Sequence, residues 1–139
     1  MWTHFWDMSS GGSQKEKWQH IYIEAPENEA KVIFYNRFGH NPERVTCTCC
    51  GKDYSVGSDK DLAQLTGYHR NCDFLRDRAE DGGGHYIEQV DPFRARWGRK
   101  LLTLDEYMND PTVLFIWSHQ IKPGEREGLL PEQGYIWVD

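Results

Sequence analysis

Three of the four cysteines in this chain fall within four positions, Cys47-Thr48-Cys49-Cys50, and Gly51 follows at once. Few features restrict a fold as much. Thiolates separated by two residues can reach one tetrahedral ion across a tight turn, and a glycine just after the second lets the backbone turn without a Cβ clash. The fourth cysteine closes a second pair with the same gap, His69-Arg70-Asn71-Cys72. Sulfur and imidazole donors in tetrahedral number point to zinc over magnesium or calcium, which take oxygen ligands. The extra cysteine leaves two ligand sets open. Cys47, Cys50, His69 and Cys72 supply three sulfurs and an imidazole, and need no adjacent residues on one ion; Cys47, Cys49, Cys50 and Cys72 supply four sulfurs. Either shell is filled by protein, so the expected cofactor is a structural Zn2+ that holds a fold and activates no nucleophile.

The C-x-x-C-G-K segment from Cys47 to Lys52 resembles the zinc knuckle of treble-clef and zinc-ribbon proteins. In a treble clef the second ligand pair sits at the start of a helix. The sequence places His69 and Cys72 beside such a start, with a helix read from about Asn71 to Glu80 that carries Phe74 and Leu75 inward. A positive helix end there would stabilise thiolate. The zinc-binding subregion then spans about residues 44–80.

The remaining chain predicts one domain, residues 1–139, because domains of about 100 to 200 residues are typical. Six Trp, seven Tyr and six Phe supply the large apolar groups that a disordered chain lacks. The aromatic stretch at residues 1–8 reads as extended, and Ser9-Ser10-Gly11-Gly12-Ser13 reads as a loop. Residues 18–24 alternate as a strand, with Gln19, Ile21 and Ile23 on one face. Pro26-Glu27-Asn28-Glu29 opens a helix of about residues 26–38, with Ala30, Ile33, Phe34 and Phe38 on its inner stripe. Gly39 and Pro42 stop it. Arg44–Thr48 and Asp53–Val56 read as short strands. Ser58 or Asp59 caps a brief helix over Asp61–Thr66 that Gly67 ends. Asp81-Gly82-Gly83-Gly84 is a break, and His85–Val90 is a strand. Thr103-Leu104-Asp105-Glu106 is a capping box, Thr112–Trp117 a buried strand, and Tyr135–Val138 a terminal one. Strands and helices alternate without βαβ rhythm, so the expected class is α+β, a small antiparallel sheet with packed helices and a zinc-knuckle subregion.

Charge and motif content narrow the function. Sixteen basic against twenty-two acidic residues give a formal charge of -6, which disfavours a general nucleic-acid binder and suits docking on a basic partner. Arg94, Arg96, Arg99 and Lys100, interleaved with Phe93 and Trp97, are the one dense basic run and the basis of a rival reading as a zinc-containing nucleic-acid module. The first residues carry no basic n-region, and the longest apolar run, Val113–Trp117, is far below the roughly 20 residues that span a bilayer. A cytoplasmic setting without membrane attachment is expected, where clustered cysteines suggest metal before disulfide. No deaminase, H-E-x-x-H, G-x-S-x-G or P-loop motif occurs. His40-Asn41 resembles a fragment of HNH nucleases, without that motif's other positions, and sustains a second rival, a zinc-associated nuclease or hydrolase.

Trp2–Met8 followed by Ser10-Gly11-Gly12, Ile23–Pro26, Phe34–Gly39, Asn41–Arg44, Cys47–Gly51 and Asp53-Tyr54-Ser55 together resemble a family of small proteins encoded by tailed bacteriophages. The likeness covers roughly the first half, to Cys72. The family carries no established activity, so the resemblance implies a genomic setting. By analogy, short acidic phage proteins often act in host takeover or anti-defence, and zinc-containing CRISPR inhibitors are among them. The expected function is therefore a non-enzymatic, zinc-stabilised accessory protein that binds and inhibits a host protein, such as a CRISPR-Cas or other defence nuclease.

Overall fold

The computed structural model describes residues 1–47, 51–72 and 103–131. Its fold is α+β, with a small mixed sheet and few helices. The chain groups into two compact units, Met1–Lys60 with Pro111–Asp139, and Asp61–Asp110.

The first unit is built on β1 (Trp2–Asp7), β2 (His20–Ile23), α1 (Glu27–Phe38), the short β3 (Val45–Cys47) and β4 (Gly51–Lys52), β5 (Tyr54–Asp59) and β6 (Val113–Ile116). Its main sheet has the order β5-β1-β2-β6. β1 pairs antiparallel with β2 and β5, whereas β2 and β6 run parallel. The sheet is thus mixed and not antiparallel throughout. Periodicity reveals strands but not their direction, and the long connection between β2 and β6 permits the parallel arrangement. β1, the aromatic start, is an interior strand of this sheet.

Alternation along β1 and β2 sorts their side chains. Phe5 and Ile21 are cross-strand partners, and with Ile23, Tyr54, Ile116 and the α1 residues Ala30, Ile33 and Phe34 they form the core. The pairings His4 with Tyr22 and Trp6 with His20 place those four on the opposite face. His4, His20 and Tyr22 are nevertheless buried, so β2 is covered on both sides.

Pro26 stands in extended conformation one residue ahead of α1, and its carbonyl accepts from Ala30 N at 2.8 Å. Glu27 and Glu29 occupy the first turn, where carboxylates complement the helix dipole. Gly39 ends the helix at φ 84°, its N–H donating to Tyr35 O at 2.8 Å. A Cβ there would meet nothing within 4 Å, so the left-handed backbone alone opposes substitution. Gly39→Ala should therefore cost about 1 to 2 kcal/mol, and Gly39→Asn less, in denaturant unfolding.

Residues 117–131 run as a strap along α1. Arg37 donates from Nε and Nη2 to the two Glu125 carboxylate oxygens at 2.9 and 2.6 Å. Asn36 Nδ2 reaches the carbonyls of Glu125 and Glu127, and Arg126 pairs with Glu29. Ile121 is the strap's buried apolar residue among those described. The Arg37 hydrogen bonds hold the Glu125 carboxyl below the usual range. Its contribution to stability is present at neutral pH and is lost as acid titrates Glu125 through that lowered value. Arg37→Ala should accelerate amide exchange in residues 118–127 by roughly tenfold while β1 and β2 stay protected.

In the second unit, α2 spans Leu62–Cys72 and α3 spans Leu104–Met108. Asp61 Oδ1 accepts from Ala63 N at 3.0 Å, so Asp61 caps α2 in place of Ser58 or Asp59. The helix continues through Gly67, which does not stop it. An interior glycine costs only about 1 kcal/mol against alanine, too little to end a helix by itself. At α3 both bonds of the Thr103–Glu106 capping box are present. The strands expected at His85–Val90 and Tyr135–Val138 lie outside the described residues, and of the helix expected from about Asn71 to Glu80 only Asn71 and Cys72 are described, as the end of α2.

Candidate metal centre

β3 and β4 form an antiparallel hairpin in which Val45 pairs with Lys52 and Cys47 with Gly51. The register shifts between Val45 and Cys47, which makes Thr46 the extra residue of a bulge. Gly51 adopts φ 88°, a left-handed conformation that glycine takes without a Cβ clash. Cys47 therefore ends one strand and Gly51 begins the other, with the cysteine segment as the connection. Cys49 and Cys50 themselves lie outside the described residues.

His69 and Cys72 are on α2, in its later turns. They do not stand at a helix start, which corrects the sequence reading and removes the argument from a positive helix end. Their three-residue separation still places both positions on one side of the helix. Among the described residues no group of three His, Cys, Asp or Glu side chains is placed to hold a metal ion.

Beneath the hairpin lies a buried polar network that periodicity and spacing do not reveal. Asp53 is fully buried. Its Oδ2 accepts from Arg44 Nε at 3.0 Å, and its Oδ1 accepts from Thr46 Oγ1 at 2.5 Å. Lys15 Nζ lies 4.0 Å from Oδ1 and donates to the carbonyls of Ser10 and Ser13. Ser10, also fully buried, donates from Oγ to Gly51 O at 2.9 Å. Asp7 organises the same loop by accepting from Ser9 N and Lys15 N at 2.8 and 2.6 Å. On the outer side, Lys31 and Lys52 both bond Glu43. Burial works to raise the Glu43 carboxyl, but these hydrogen bonds prevail and leave it below its ordinary value.

Three histidines of the described part, His4, His20 and His40, have ring contacts or hydrogen bonds. His4 Nε2 and His20 Nδ1 share a hydrogen bond of 2.9 Å, and Tyr22 stacks on His4 at 4.4 Å. No sequence spacing relates residues 4 and 20; only the β1–β2 register brings them together. His40 Nε2 bonds Glu16 Oε1 at 3.1 Å, and its ring meets Phe34 edge-on and lies against Tyr54. His119 is exposed on the strap.

His40 Nδ1 and Tyr54 Oη are buried without a hydrogen-bond partner among the described residues. Burial, then the charges of Asp7, Glu16 and Asp53, push the Tyr54 phenol well above its ordinary value. A buried hydroxyl without a partner is a net cost. Tyr54→Phe should accordingly stabilise the protein by about 1 kcal/mol in denaturant unfolding, with ring packing against Phe34 retained.

Asn41 is explained by structure. Its Oδ1 accepts from Glu43 N at 2.9 Å and its Nδ2 donates to Pro131 O at 2.7 Å, so both ends of the amide are engaged in shaping the turn after α1. The basic run Arg94–Lys100, with Phe93 and Trp97, lies outside the described residues. No helix among the described residues is long and apolar enough to cross a membrane. Comparison with family models, with curated proteins and with solved structures finds no match.

Proposed function

We propose that the chain is a non-enzymatic, zinc-stabilised accessory protein that acts by binding a host protein. One Zn2+ is held by Cys47 and Cys50 with Cys72 and either His69 or Cys49. The observation that carries the metal reading is the hairpin itself. A left-handed Gly51 opening the second strand, opposite Cys47, supports this reading, because it gives the tight turn across which two thiolates could meet one tetrahedral ion. The negative net charge and the aromatic supply favour a protein partner over nucleic acid. The phage resemblance makes a defence nuclease, such as a CRISPR-Cas effector, the target class to test.

The test is direct. Zinc-loaded protein added to such a nuclease should inhibit cleavage with a sharp endpoint at a fixed molar ratio, and should itself turn over no nucleic acid or nucleotide. Multiple turnover by the purified protein would remove the proposal.

The hydrolase alternative gains one observation, the Glu16–His40 hydrogen bond, since a carboxylate commonly orients a catalytic imidazole. Its open nitrogen, Nδ1, is buried, however, and a general base must come within hydrogen-bond reach of the substrate. The geometry suits a packed imidazole better.

A further inference from the structure

We infer that Leu129, with the Glu127 carboxylate beside it, is the anchor by which the chain docks on a protein partner that offers an apolar pocket with a lysine or arginine on its rim. The inference rests on the partner-binding reading above and needs neither the metal nor the second unit. Leu129 is 92% exposed, against 48% for Met1 and 47% for Met8, the other large apolar side chains that face water among the described residues. An exposed leucine is ordinary on a loose loop. The backbone on both sides of this one is tied down. Asn36 Nδ2 donates to the carbonyls of Glu125 and Glu127 at 2.9 and 3.0 Å, and Asn41 Nδ2 donates to Pro131 O at 2.7 Å. Asn36 belongs to α1 and Asn41 to the turn after it, so both ends of the loop are fastened to the same neighbourhood.

Between those ties Gly128 turns the chain at φ 109°, a conformation that a residue with a Cβ adopts only under strain. The loop is thus held in one shape while its leucine contributes almost no burial to the fold. An apolar side chain fixed in this way has already lost much of the freedom that docking would remove, and binds more tightly for it. The neighbouring charges select the partner. Arg37 engages Glu125 and Glu29 engages Arg126, so those charges are balanced within the fold. Glu127 is exposed and has no ion pair among the described residues. A free carboxylate two residues from the leucine, on a chain of net charge -6, favours a pocket bordered by a cation. Nucleic acid does not fit, since its phosphates repel that carboxylate.

The probe is a panel of purified CRISPR-Cas effector nucleases, titrated with the full chain while cleavage, association rate and dissociation rate are followed. Leu129→Ser should bind about 10- to 100-fold more weakly, with its melting temperature unchanged because the side chain packs on so little. Glu127→Lys should associate about tenfold more slowly in dilute salt, and the difference should shrink as salt is added. Asn36→Ala keeps the leucine but releases one tie, and should weaken binding by about 3- to 10-fold. Met8→Ser removes an exposed apolar group elsewhere and should bind as wild type does. Wild-type affinity in Leu129→Ser, or an equal loss in Met8→Ser, would overturn the anchor and leave the partner-binding reading standing. A wild-type protein that binds and inhibits none of the nucleases would overturn both.

Discussion

Replacing Cys50 or Cys72 with alanine is expected to strip zinc from the protein and lower its melting temperature by about 10 °C or more. The binding free energy of a structural ion is largely folding free energy, because the unfolded chain offers no preformed site. Losing one of four ligands also opens the shell to water and leaves three thiolate or imidazole groups gathered without their counter-ion. Elemental analysis of chelator-free preparations, with calorimetry beside it, reads both effects. Unchanged metal content and melting temperature in both variants would end the zinc reading. The two candidate shells part at the fourth ligand. If imidazole completes the site, Cys49→Ala keeps its zinc and His69→Ala loses it; if sulfur completes it, the pattern reverses.

The reach of the sequence is uneven for physical reasons that particular residues show. α1 was legible because Ala30, Ile33 and Phe34 repeat at helical spacing and Gly39 supplies the stop. The capping box at Thr103 was equally legible, since its two bonds are made within four residues. What depends on contacts distant in sequence was not. The parallel pairing of β2 with β6 joins segments about ninety residues apart, and alternation carries no sign of direction. The same limit hid the Asp7 and Asp53 network and the His4–His20 bond, whose members only strand register assembles. Gly67 misled for another reason. A glycine signals a stop only by preference, and the capping that starts α2 at Asp61 sustains a helix straight through it. For the expected metal ligands, spacing supplied the candidates, and what the described residues add is a hairpin between Cys47 and a left-handed Gly51.

Phe34→Ala should destabilise the protein by about 3 to 5 kcal/mol while leaving one zinc per chain at temperatures where the variant is folded. Phe34 is fully buried on the inner stripe of α1, where four rings surround it. Phe38 and Phe5 lie at centroid distances of 4.7 and 4.8 Å, Tyr54 at 5.0 Å and His40 at 5.4 Å. The neighbours come from β1, from β5 and from the end of α1 with the turn after it, so no single movement can close the cavity that alanine leaves. The cost then combines lost transfer energy with an unfilled void, and sits toward the upper part of the range. The contrast with the cysteine variants is the informative part. A core defect lowers stability with the metal still bound, whereas a ligand defect removes the metal first. Loss of zinc from folded Phe34→Ala would mean that the hairpin depends on the α1 packing for its shape. Tyr54 offers the physical route for such dependence, because it packs on Phe34 and directly follows Asp53. Retained stoichiometry with a lowered melting temperature would instead show that zinc binding does not depend on the packing around Phe34.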